Sequence, residues 1–137
     1  MKHYKYEDIS VGLEESFSAQ ITETMMSTFR EITGDQNSLH SSSEFAVKKG
    51  YLDKVCFGML TASFLSTLAG VYLPGENSLI QSVETKFVAP VYVGDRLKIV
   101  GEVTEMNDLF HVFIMKVTIF NQDEKKVLRG KMQIQVI

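Results

Sequence analysis

Residues 58–72, GMLTASFLSTLAGVY, carry no charged side chain. Leu60, Phe64, Leu68 and Val71 recur at helical spacing on one stripe, while Met59, Leu65 and Ala69 occupy other faces. A helix apolar nearly all round belongs inside a protein, so this segment is expected to be a buried helix covered on several sides. Pro74-Gly75 ends it. Everything downstream reads as strand: Ser78 to Val88, Arg96 to Glu105, Phe110 to Phe120 and Val127 to Val136. The strands are separated by turn formers at Gly94-Asp95, Asn107-Asp108 and Asn121-Gln122-Asp123. Alternation is clean in Leu97, Ile99 and Val103 and again in Leu128, Met132, Ile134 and Val136, as half-buried antiparallel strands require.

Upstream, Glu15 to Ile21 reads as one more strand. Thr22 then caps a helix carrying Met25, Phe29 and Ile32, with Glu23 in its first turn and Gly34 as its stop. Gly34 to Ser38 is a loop, because every residue in it favours turns or caps. A short helix over Ser42 to Lys49 closes at Gly50. Strand, helices, one buried helix and four sequential strands make an α+β domain in which a curved antiparallel sheet wraps the long helix, an arrangement that resembles the hot-dog fold. The open sheet edge predicts a homodimer or higher homo-oligomer.

Composition narrows the function. With 137 residues, 45% of them apolar, the chain suffices for one domain, 1–137, with a real core. A formal charge of -3 and scattered lysines argue against nucleic acid as a partner. No apolar run approaches the ~20 residues of a spanning helix and the first eight residues lack a leader pattern, so a soluble, cytoplasmic protein away from membranes is expected. The single cysteine, Cys56, reads as a small buried apolar residue. No histidine and cysteine spacing suggests a metal site, and no glycine-rich loop follows a strand as nucleotide binding would require.

Asp35 and His40 are the one carboxylate and imidazole close together in sequence, on a loop leaving a helix. A carboxylate beside a histidine can hold a water and move a proton; a turn aspartate and a capping histidine would have the same spacing. Phe57-Gly58-Met59-Leu60 opens the buried helix, where free amides sit at the positive dipole end. The N–H of Gly58 is thus placed either to polarise a carbonyl oxygen, as enolate chemistry needs, or simply to allow close packing. Ser63 and Ser66 lie on the same helix; back-bonding to the preceding turn is their default, and Ser66 is a candidate for positioning water. His3 and His111 are assigned to structure, His111 within a strand pattern.

Together, Ile32 to His40, Phe57 to Ser63, Leu73 to Gly75 and Phe87 to Asp95 resemble the MaoC-like family, which includes the R-specific enoyl-CoA hydratases. The resemblance implies reversible hydration of trans-2-enoyl thioesters to (R)-3-hydroxyacyl thioesters. It implies Asp35 and His40 as the catalytic pair, Gly58 as the thioester-oxygen donor, and Asn37, Met59, Ser63 and Ser66 as substrate-binding or supporting residues. No cofactor beyond the coenzyme A or acyl carrier of the substrate is implied, and no metal. Phe87 to Asp95 are implied to be mainly structural. Two departures stand out: Ser38 where the family usually has proline, expected to loosen the loop, and Phe57 where it has histidine. A hot-dog thioesterase and a non-catalytic acyl-thioester binding subunit are the alternatives. The lack of a carboxylate on the buried helix counts against thioesterases that place one there, but not against those using a loop aspartate.

Overall fold

The computed structural model describes residues 1–137. Strand β1 (Glu14–Gln20) leads into helix α1 (Glu23–Thr33), a 3-10 turn at Ser38–His40, helix α2 (Ser43–Lys48) and helix α3 (Gly58–Thr67). Strands β2 (Ser78–Phe87), β3 (Arg96–Asn107), β4 (Val112–Phe120) and β5 (Lys126–Val136) follow. They form one antiparallel sheet in the order β1-β3-β4-β5-β2. The chain is therefore α+β, with a five-stranded sheet and one central helix.

The sequence pattern explains the elements. The Thr22 hydroxyl accepts from the Met25 amide at 3.1 Å, and Gly34, at φ 73, closes α1 with its N–H bonded to the Arg30 carbonyl. Alternation sends Val117, Ile119, Leu128, Met132 and Ile134 to the core face, all fully buried, and leaves Lys116, Arg129 and Lys131 on the outer face. Helix α3 lays Leu60, Leu65 and the following Leu68 and Ala69 on that core. Gly101 on β3 is what permits so close an approach, because a Cβ there would lie 2.5 Å from Met115 Sδ and 3.0 Å from Leu68 Cδ2.

Three expectations change. The helix expected over 58–72 is α-helical only to Thr67; Leu68–Tyr72 widens into a π turn, closed by the Leu73 amide on the Leu68 carbonyl at 2.8 Å. The side chain of Tyr72 thereby reaches β1, where its ring stacks on Phe17 at 4.8 Å. Nor is α3 covered all round: Met59 is 65% exposed, and Ser63 and Ser66 are exposed as well. A five-stranded sheet covers only one side of a helix within a single chain. Finally, His111 lies in the turn before β4, at φ 52, rather than in a strand, and its ring stacks on Tyr6 at 4.5 Å.

No helix is long and apolar enough to cross a membrane.

Candidate active site

The loop after α1 carries its polar groups in local turns. Asp35 Oδ1 accepts from the Asn37 amide at 3.0 Å, and Asn37 Oδ1 accepts from the Leu39 amide at 3.0 Å, capping the turn Ser38–His40. Asn37 is thus a loop-building residue. The Asp35 carboxylate is exposed and its Oδ2 makes no hydrogen bond within the chain. It is free to meet a ligand.

The His40 ring is held from two sides. Its Nδ1 lies 2.8 Å from the Val55 carbonyl, which can only accept, so Nδ1 carries the proton and Nε2 presents its lone pair. The Val55 amide donates back to the Leu39 carbonyl at 2.9 Å, and the Cys56 amide to the Val91 carbonyl at 2.7 Å, pinning the strand of chain that faces the histidine. The imidazole packs on Phe57 with ring centroids 4.2 Å apart. An imidazole with one nitrogen anchored and the other free is the form a general base needs.

Phe57 is fully buried and sits where the family resemblance led to expect histidine. It packs on Phe29 at 5.0 Å, and the Arg30 guanidinium stands 5.9 Å above its ring while donating to the His40 carbonyl at 3.3 Å. Arg30 and Phe57 thus brace the turn that carries His40, a support that no sequence spacing reveals. Phe57 also precedes the first turn of α3, which has no side-chain cap. The Gly58 and Met59 amides open that turn with no carbonyl one turn earlier to bond, at the positive end of the helix dipole.

Two cavities converge on these groups. One, of about 390 Å³, is lined by Phe29, Thr33, Asp35, His40, Phe57, Gly58, Met59 and Phe87. The other, of about 340 Å³, shares His40, Gly58 and Phe87 and is otherwise mostly apolar, with Tyr51, Val55, Cys56, Val88, Val91 and Val127 among its walls. Asp35, His40, Gly58 and Met59 therefore meet at one cavity. Ser63 and Ser66 do not line either one, and the Ser63 hydroxyl bonds back to the Leu60 carbonyl at 2.6 Å. Phe29, Thr33 and Phe87 join the site without a sequence signal of their own, because their contribution depends on which elements meet across the fold. Burial pushes the Cys56 thiol up to about 11, with Thr61 pulling the other way and Asp95 adding to the rise, so Cys56 is a protonated wall residue.

Known proteins share this architecture. The model of the MaoC like domain matches residues 8–124. A 3-hydroxybutyryl-CoA dehydratase of Methylorubrum extorquens is 36% identical over 74% of this chain, and the chain spans 64% of that relative's length. An (R)-specific enoyl-CoA hydratase of Rhodospirillum rubrum is 32% identical over 74% of this chain and 70% of its own. The solved structure of an (R)-hydratase from A. caviae superposes with a TM-score of 0.91 at 27% identity, covering 96% of this chain and 99% of that one.

Proposed function

Since this chain belongs to the MaoC-like domain family, we propose that it hydrates trans-2-enoyl thioesters to (R)-3-hydroxyacyl thioesters, or runs the reverse dehydration. The observation that carries the reading is the convergence of Asp35, the free Nε2 face of His40 and the uncapped amide of Gly58 on one cavity. In the forward direction His40 Nε2 takes a proton from water as the water oxygen bonds to the β-carbon. Charge moves onto the thioester oxygen, where the Gly58 N–H stabilises it; such a donor is typically worth about 2.7 to 4 kcal/mol of barrier. The proton then passes from the imidazolium to the Asp35 carboxylate, which delivers it to the α-carbon and so restores the pair. One water is added and no electrons are exchanged, so the chemistry calls for no redox cofactor. Coenzyme A or an acyl carrier enters as part of the substrate.

The direct test is loss of the conjugated enoyl-thioester absorbance when the protein meets crotonyl-CoA, with free thiol measured in parallel. Hydration removes the absorbance and releases no thiol. Thiol release would instead make the chain a thioesterase, and tight binding without turnover would make it a binding subunit.

A homodimer fits the same reading. Strand β2 is a sheet edge whose Leu79 and Val83 are each 47% exposed and whose backbone faces no further strand. A second copy pairing there would satisfy the edge and cover the apolar side chains. Wild type is expected to run as a dimer by analytical ultracentrifugation and Val83→Asp as a monomer; a monomeric wild type at micromolar concentration would sink the idea.

A further inference from the structure

Phe87 stands at the C-terminal end of β2, directly over the first turn of α3. A Cβ built on Gly58 would lie 3.2 Å from its Cδ1 and Cε1, so the ring rests against the helix start with nothing between. The ring is also the side chain of β2 common to both cavities, which otherwise share only His40 and Gly58. It is 50% exposed, so it contributes little to the core.

We propose that Phe87 is the wall that sets how long an acyl chain this site accepts. The inference rests on the function proposed above and adds a specificity-determining residue to it. Asp35 lines only the cavity of about 390 Å³, so the carbons that exchange protons with Asp35 and His40 lie on that side. The acyl tail continues from the β-carbon, and on that side it meets Phe29, Phe57 and the Phe87 ring. Beyond the ring lies a further volume of about 340 Å³, walled by Val55, Val88, Val91 and Val127, which suits a hydrocarbon chain. With Phe87 in place the tail is confined to a few carbons. Truncation to alanine joins the two spaces.

The ring earns its position by chain geometry rather than by core packing. The strand alternation places Phe87 opposite Leu128 on the inward face of the sheet, yet β5 begins only two residues before Leu128, at Lys126, and the ring overhangs the helix start. A Cβ at Gly58 would press on the ring at 3.2 Å and push it outward, which couples the wall to the oxygen donor. A longer chain therefore meets the obstruction next to the reacting atoms, where misplacement is costly.

The test compares crotonyl-CoA with trans-2-octenoyl-CoA on wild type, Phe87→Ala and Phe87→Leu. Binding of butanoyl-CoA and octanoyl-CoA is measured by calorimetry on the same proteins, with melting temperatures confirming that each is folded. Expected is a rise of about tenfold or more in the octenoyl-to-crotonyl ratio of kcat/KM for Phe87→Ala, the leucine variant falling between. The octanoyl-to-butanoyl affinity ratio should rise in parallel. Unchanged ratios in both variants would overturn the proposal. If no protein hydrates either enoyl thioester but the affinity ratio still shifts, the wall stands and the hydratase reading falls.

Discussion

Asp35→Asn and His40→Ala each lower kcat for enoyl-thioester hydration by about 10²- to 10⁴-fold, the range over which a positioned proton-transfer group acts. The two substitutions differ in what else they remove. Asparagine at position 35 keeps an oxygen to accept from the Asn37 amide, so the loop is retained while the proton-exchanging group is lost. Alanine at position 40 also removes the Nδ1 bond to the Val55 carbonyl and the ring packed on Phe57, so some stability goes with the activity. Steady-state kinetics beside thermal melts separate the two effects. An Asp35→Asn protein that keeps wild-type kcat would remove the acid/base assignment, whatever its stability.

Gly130→Ala is expected to cost about 3 kcal/mol or more of folding stability, read as a fall in the urea midpoint with the slope unchanged. A Cβ at Gly130 would sit 1.9 Å from the Glu84 carbonyl oxygen and 3.0 Å from Thr85 Cα. These are backbone atoms of the neighbouring strand, so no rotamer change relieves the clash. Relief requires β2 to move away from β5 along the pairs Glu84↔Lys131 and Thr85↔Gly130. Because Phe87 ends the same strand, the movement would also carry the ring off Gly58, and activity should change in whatever fraction remains folded. A Gly130→Ala protein within about 0.5 kcal/mol of wild type, the range of an ordinary surface change, would show that the two strands are not held so closely.

The site divides into parts that were legible in order along the chain and parts that were not. Asp35, Asn37 and His40 lie within six residues, and their turn chemistry follows from residue type, so the loop could be read directly. The departure at Ser38 leaves the 3-10 turn Ser38–His40 in place, capped by Asn37. Phe57 looked like the loss of a polar group. In the fold it gains the Arg30 guanidinium on one side and the His40 ring on the other, contacts made between a helix, a loop and a turn that no local rule relates. Ser63 and Ser66 are candidates through the family resemblance, back-bonding being their default on an apolar helix, and the structure puts neither at the cavities around Asp35 and His40.

By itself the sequence determined what repeats or caps locally: the alternation that makes β3, β4 and β5, the Thr22 and Gly34 boundaries of α1, and an apolar α3 that must pack on the sheet. These depend on periods of two or 3.6 residues and on side chains bonding their own neighbourhood. Only the tertiary structure decided that α3 gives way to a π turn, that one face of α3 stays open, that Val55 fixes the His40 tautomer, and that Phe87 borders both cavities at the site. Each of these depends on side chains or strands far apart in the chain meeting at ångström distances. Periodicity specifies which face of an element is buried, but not which atoms stand opposite it.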